Sequence, residues 1–322
     1  MKKEDVLKSI GLKKRFCKDC NLPINLFDEP YFMQRLKILD ALFDCVKKFD
    51  TFCIELESFD DEQSYFEYYN SVKDSVITMI KNSQGYYEFI NDDFSDARII
   101  RHTIMLGKNN LYAEPNAGKS FISIDMNKAN FSALRHYNSE IFKNKDTWED
   151  YIGAFTWCSH IKNSKYIRQV ILGACNPKKQ ITYETYLMTI LYLHIKEVLG
   201  DKVGFYSLTT DELIIDMQNT NCTLKEIEEV ISICQQNIGS LVRCEYFKLR
   251  KISNFGWLKE IYKYDKNNDM FKDNVVFKGL NADIYHQIVK HFFGNEITED
   301  DLVFRYNGEL ARFLKEVDNP WK

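Results

Sequence analysis

The sequence predicts an α+β protein in which an antiparallel sheet is packed with helices, and three observations carry that expectation. Residues 203–216 (VGFYSLTTDELIID) have two apolar arms around the polar tip Thr209-Thr210-Asp211-Glu212, the pattern of a tight β-hairpin. Residues 121–125 form an apolar strand ending in Asp125, followed at once by the helix-like MNKANFSALRHY. Residues 241–252 and 255–264 alternate apolar positions with Arg or Lys, as in a sheet with one face in the core and one positive face. Hairpin arms that are hydrophobic on both faces are buried, so the acidic tip is expected to project into a functional cleft.

Taken in order, the chain opens with a basic stretch containing Cys17-Lys-Asp-Cys20. A CxxC knuckle followed by a turn is half of a zinc ribbon, and Cys17 and Cys20 are the expected ligands of a structural Zn2+ if one is held. Cys45 and Cys53, or Cys158 and His160, are the available second pair; plain reduced thiols are the simpler reading. Over 29–50, Phe32, Leu36, Leu39, Phe43 and Val46 recur at helical intervals and predict one amphipathic helix, with a second over 62–80. Glu55 and Glu57 read as a solvated strand edge. Residues 113–120 (AEPNAGKS) resemble a phosphate loop but lack its first glycine and precede a strand, so no phosphate cradle is expected.

After Asp125 a helix carrying Lys128, Phe131, Leu134 and Arg135 gives way to a polar stretch at 138–149. A helix over 162–173 places Lys165 and Arg168 one turn apart. The next, over 181–199, is apolar nearly all round and therefore buried, with His194 as a core or boundary histidine. Thr223 and Glu226 make a capping box for the helix after the hairpin. Beyond the two basic strands, 275–279 ends in Lys278-Gly279, and helices over 282–292 and 298–317 close the chain.

Composition narrows the function. The chain is 45% hydrophobic and 28% charged, and its 13 Gly and 5 Pro leave little room for disorder or long linkers. A net charge of −4 argues against a non-specific nucleic-acid coat but allows one basic groove, and the cations Lys248, Arg250, Lys251, Lys259, Lys263 and Lys278 cluster after the acidic hairpin. Without an N-terminal apolar region or an apolar run of about 20 residues, neither secretion nor a membrane span is expected. Nine irregularly spaced cysteines fit reduced thiols in a cytoplasm. Abundant Lys, Asn, Ile and Tyr point to an AT-rich coding sequence, so that cytoplasm is a bacterium's or an infected host cell's.

Two strand-end carboxylates lying side by side are what a two-metal site requires, and Asp125 and Asp211 are the candidates. Singly, each also serves as a helix cap or a polar turn residue. The order strand–Asp–helix, Lys/Arg helix, acidic hairpin, basic sheet resembles the palm region of template-dependent DNA polymerases. Residues 124–132 (IDMNKANFS) are similar to the first palm motif of family B, D-x-N-S-L-Y-P-S, and to the D-Y-S-Q-I-E-L-R of family A. Residues 206–215 (YSLTTDELII) are similar to the third motif, Y-x-D-T-D-S in family B and V-H-D-E-L-V in family A, with Thr209 in place of family B's first aspartate. Lys165, Arg168 and Gly173 stand where the fingers helix carries its triphosphate-binding cations, and Lys259-Glu-Ile-Tyr-Lys263 resembles the stretch leading into a family B thumb.

The resemblance covers about half the chain and implies a helical region over 1–115, a palm over 116–240 with inserted fingers helices at about 138–200, and a basic sheet with thumb-like helices over 241–322. It implies template-dependent nucleotidyl transfer with two Mg2+ or Mn2+ ions on Asp125, Asp211 and the Met126 carbonyl, and a supporting role for Glu212. Lys165 and Arg168 would clamp the triphosphate, and Asn130 and Phe131 would stand at the sugar. Arg243, Lys248, Arg250, Lys259, Lys263 and Lys278 would track the nucleic-acid backbone. The implied partners are primer–template nucleic acid, nucleoside triphosphates and other replication proteins. Loss of one hairpin aspartate and the negative net charge also fit a decayed polymerase-like accessory protein, and an unrelated nucleotidyltransferase or metal-dependent nuclease could use the same carboxylates.

Overall fold

Runs of β-branched and aromatic residues set up six strands: β1 (Ser120–Met126), β2 (Phe205–Leu208), β3 (Glu212–Asp216), β4 (Val242–Ile252), β5 (Gly256–Tyr264) and β6 (Met270–Lys278). They join in the order β2-β3-β1-β4-β5-β6, antiparallel throughout, so the protein is α+β with a six-stranded antiparallel sheet. The computed structural model describes residues 1–95, 106–107, 109–252, 254, 256–264 and 270–322. Phe255, placed at a strand start by the sequence, lies outside the described residues.

The chain forms two compact units, Met1–Thr78 with Asp146–Ile171 and Gly279–Lys322, and Met79–Lys145 with Leu172–Lys278. The sheet belongs to the second. Period-two alternation sends Phe121, Ile214, Phe247, Leu249 and Ile261 to one face, where they form an apolar cluster with Leu111. Ile122, Ile124, Leu213 and Ile215 are buried on the opposite face, so the hairpin is apolar on both sides as its sequence predicts. The Pro177–Leu199 helix begins at Asn176, whose side chain accepts from the Lys179 N–H, and Pro177 sits in its first turn, where no donor is lost. It packs on the Ala129–Tyr137 and Leu224–Ser232 helices and on β3. The expected capping box of Thr223 and Glu226 opens the Leu224–Ser232 helix, and His194 meets the Val230 carbonyl at 3.0 Å.

The first unit is mostly helical around the rings of Phe16, Phe32, Phe49 and Phe52, with centroids 5.0 Å apart for Phe16–Phe49 and 5.4 Å for Phe32–Phe49. Four local expectations are corrected here. The helix expected over 29–50 is two, Tyr31–Phe43 and Cys45–Leu56, because Asp44 takes a left-handed conformation (φ 49°) and Asp40 accepts from the Val46 N–H. Glu55 is consequently helical and not on a strand edge. The helix over 162–173 is also two, Ser159–Asn163 and Lys165–Gly173, hinged at Ser164.

The helix over 298–317 does not exist. A short turn at Glu299–Leu302 leads into a hairpin, β7 (Val303–Tyr306) and β8 (Glu309–Arg312), around Asn307-Gly308, both at positive φ. Asn-Gly is the strongest two-residue hairpin signal, and here it overrides helical spacing. Asp301 anchors this segment. It pairs with Arg35 at 3.3 Å and with Lys290, and its carbonyl accepts from His286 at 2.7 Å. Burial works against the Asp301 carboxylate, but Lys290 and Thr298 hold it below its ordinary value; burial pushes His286 down to about 3, so that imidazole is neutral.

Candidate active site

Register brings the two strand-end acids together. β1 and β3 are neighbours inside the sheet, with Phe121 opposite Asp216 and Asp125 opposite Glu212. One step further the Met126 N–H donates to the Asp211 carbonyl at 2.8 Å, so Asp211 sits in the turn against the end of β1. Thr209 closes that turn. Its N–H donates to the Glu212 carbonyl at 2.9 Å, and its hydroxyl accepts from the Glu212 N–H at 3.2 Å. The threonine that replaces an aspartate in the sequence resemblance is thus a structural turn residue.

Because side chains directly opposite each other share a face, Asp125, Glu212, Ser123, Arg243, Glu245 and Lys259 form one polar patch beside the apolar cluster. The Ser123 hydroxyl donates to Glu212. Arg243, opposite Asp125 on β4, donates to its Oδ2 from Nε and Nη2 at 3.2 and 3.0 Å and approaches Glu245 at 3.8 Å. Lys259 donates to Glu245 at 2.8 Å and lies 4.3 Å over the Phe247 ring.

The electrostatics separate these acids. Burial lifts the Asp125 carboxyl; Arg243 opposes the shift, and Asp211 and Glu245 add to it. Burial lifts Glu212 too, against Ser123 and Lys259 and with help from Asp125 and Asp211. Glu245 is partly buried, yet Lys259 and Arg243 hold it below its ordinary value. Glu245 and a fifth acid have no motif of their own in the sequence. Glu184, on the Pro177–Leu199 helix, is 7% exposed, and burial together with Asp211 pushes it up to about 7. A lone charged residue in the stretch 181–193 is the available signal.

An all-oxygen donor set of Asp125, Asp211, Glu212 and the Met126 carbonyl suits a hard divalent cation, and like charges held together in low dielectric are what such an ion relieves. These acids are not drawn into a tight cage: among the described residues, no three of them hold oxygens mutually within 4.8 Å.

The remaining candidates are dispersed. Asn130 accepts from the Phe131 N–H at 3.0 Å; Phe131 is a core side chain packed on Phe142 with centroids 4.6 Å apart, which removes it from a sugar-facing role. The basic strands do not present one positive face. Lys248 and Arg250 are exposed on the face opposite Arg243 and Lys259, while Lys263 pairs with Asp273 at 2.9 Å and Lys278 is exposed opposite Trp257. Lys259, 8% exposed and bound to Glu245, positions an acid and is not a free phosphate contact.

Lys165 and Arg168 belong to the other unit. There Lys165 lines a pocket of about 390 Å³ with Asp19, Lys47, Lys48, Asn163 and His160. Arg168 is buried, its guanidinium pKa lowered by desolvation, so it is not available as a phosphate clamp. Cys17 and Cys20 belong to no metal-competent group of three among the described residues.

No protein-family model matches the chain, and no curated protein is significantly similar to it. Among the described residues no helix is long and apolar enough to cross a membrane.

Proposed function

We propose that this chain is a metal-dependent nucleotidyltransferase of the polymerase type, extending a primer on a nucleic-acid template with nucleoside triphosphates. One observation carries the reading: the acids that give the resemblance to a polymerase palm lie at the adjoining ends of two inner strands, Asp125 opposite Glu212, with the Asp211 carbonyl in the turn bonded to the Met126 N–H. Mg2+ or Mn2+ bound by Asp125, Asp211 and the Met126 carbonyl would supply Lewis-acid stabilisation of a primer 3′-oxygen and a triphosphate. Glu212, oriented by Ser123, supports that carboxylate pair. Glu184, poised near neutrality beside Asp211, can hold or release a proton there. Of the candidate cations, Lys278 is exposed on the sheet face that carries the acids and is left to hold phosphate without reading sequence, whereas Lys248 and Arg250 lie on the other face.

The test is extension of a labelled primer–template with Mg2+ and nucleoside triphosphates. Losing a metal ligand removes several kcal/mol of charge stabilisation, so Asp211→Asn is expected to slow extension about 10³-fold. Full extension by Asp125→Ala would sink the mechanism, and shortening of the primer would assign a nuclease. A second reading has its own support. Arg243 already gives Asp125 a cationic partner, as expected of a decayed site kept for nucleic-acid binding. Tight primer–template binding without incorporation would select it.

A further inference from the structure

The sequence offers Cys158 and His160 as one available second pair for Cys17 and Cys20; the fold gives them a different partner within the helical unit. Glu55, on the Cys45–Leu56 helix, meets the Ser159–Asn163 helix so that one oxygen of Glu55, one ring nitrogen of His160 and the sulfur of Cys158 lie within 4.8 Å of one another. We propose that Glu55, Cys158 and His160 bind a zinc-type divalent cation, with water as the fourth ligand. The site is distinct from the carboxylates on the sheet and independent of the nucleotidyl-transfer reading.

The surroundings are organised as a metal site requires. A ligating imidazole is held by a partner on its other nitrogen, and His160 meets the Tyr65 hydroxyl through Nε2 at 2.8 Å, leaving Nδ1 to face Glu55. Glu55 is fixed the same way. The Ser159 N–H donates to Oε1 at 2.6 Å, the Ser159 hydroxyl donates to the same oxygen, and Oε2 is left toward His160. The Phe52 ring stands edge-on to His160 with centroids 4.8 Å apart. Cys158 and Tyr65 are 0% exposed, and the His160 and Glu55 side chains are 5% and 11% exposed. Ser159 and His160 also line the 390 Å³ pocket, which provides an entry route and room for the water.

The chemistry of the set selects the ion. Thiolate with imidazole suits zinc and its relatives and disfavours Mg2+ and Ca2+. Tetrahedral bonds of about 2.0–2.3 Å place ligand atoms roughly 3.3–3.8 Å apart, so the hydrogen-bonded Glu55–His160 pair opens and the three ligands reach the ion by side-chain shifts of about 1 Å. The proton balance is simple. The Cys158 thiol proton leaves; His160 binds through Nδ1 and carries its proton on Nε2, where the Tyr65 hydroxyl accepts it.

The experiment is titration of the metal-free full chain with Co2+, followed by absorbance and displacement with Zn2+. Expected are one Co2+ per chain with a thiolate-to-cobalt charge-transfer band, release of one proton, loss of the band in Cys158→Ser, and about 10–100-fold weaker binding in Tyr65→Phe. Absence of the band, or its survival in Cys158→Ser, overturns the proposal. If Cys158→Ser does not fold, X-ray absorption of the zinc-loaded wild-type chain decides. A shell with one sulfur and the rest nitrogen or oxygen supports the site. A shell with no sulfur, or with two as Cys17 and Cys20 would give, overturns it.

Discussion

Glu55 in the helical unit and Glu212 on the sheet are both partly buried glutamates beside a serine hydroxyl, yet their carboxyls move in opposite directions. Burial acts against ionisation in both. Glu55 overcomes it because His160 and Ser159 surround it with donors, which holds it below the ordinary range. Glu212 has Ser123 and a more distant Lys259, but it also faces Asp125 and Asp211, and it stays raised. The same contrast separates Asp301, wrapped by Arg35, Lys290 and Thr298, from Glu184, buried beside Asp211. Satisfied carboxylates fasten a fold; a set of like charges kept together costs stability and is retained where a cation or a reaction uses it.

The largest effect expected from this contrast is at Asp301. Removing one partner of a buried, hydrogen-bonded ion pair strands the other charge, so Asp301→Ala should lose about 3–5 kcal/mol in denaturant unfolding. A loss below about 1 kcal/mol would break the distinction, because the network would then hold nothing. Glu184 should behave in the reverse sense. Its folded pKa of about 7 stands above the ordinary glutamate value, so the folded state binds the extra proton between those limits. Its contribution to stability is complete below about pH 4.5 and declines as pH rises to about 7, a change of roughly 3 kcal/mol. Glu184→Gln should flatten that slope, which stability curves at pH 5 and pH 8 would reveal; an unchanged slope would mean the carboxyl is better solvated than its burial implies.

Glu55 sharpens the contrast from the acid side. Its folded pKa is depressed, so its contribution is present above the ordinary value and is lost as pH falls through the lower one. Glu55→Gln should cost about 1–3 kcal/mol near neutrality, the scale of hydrogen bonds to a charged group, and remove part of the acid-side decline. The measurement is again unfolding at two pH values, and a variant that loses stability equally at both would assign Glu55 a packing role only.

Much of the sheet was legible because its signals are local. The polar tip at 209–212 between apolar arms announces a hairpin, and the isolated apolar run into Asp125 announces a strand of similar burial. Pairing of β1 with β3 depends on residues distant in sequence, and no local pattern states it; only the matching acids at the strand ends pointed that way. Reading 298–317 as a helix failed where apolar spacing outweighed Asn307-Gly308. Reading 29–50 as one helix failed at Asp44, whose left-handed turn is set by Asp40 and tertiary packing. The cations of the basic strands make one positive face only when strand alternation is ignored. Strict alternation puts Lys248 and Arg250 on one side and Arg243 and Lys259 on the other. Glu55 carries no local signal, because its partners, Ser159 and His160, come from a different stretch of chain.

The smallest effect belongs to Arg243, and it bears most directly on whether the sheet site is active. Its side chain is 56% exposed, so the pair with Asp125 contributes under about 1 kcal/mol to stability and less at high salt. Its influence on the acids is larger than its influence on folding, because it supplies the positive charge at Asp125 that a metal would otherwise supply. Arg243→Ala should therefore leave the unfolding midpoint nearly unchanged while tightening Mn2+ binding at the carboxylates, read by Mn2+ paramagnetic resonance against Asp125→Asn as the control. A site that uses metal gains affinity when this competitor is removed. If Arg243→Ala binds no more Mn2+ than Asp125→Asn, the guanidinium is the resident partner of that carboxylate, and the accessory-protein reading replaces the enzymatic one.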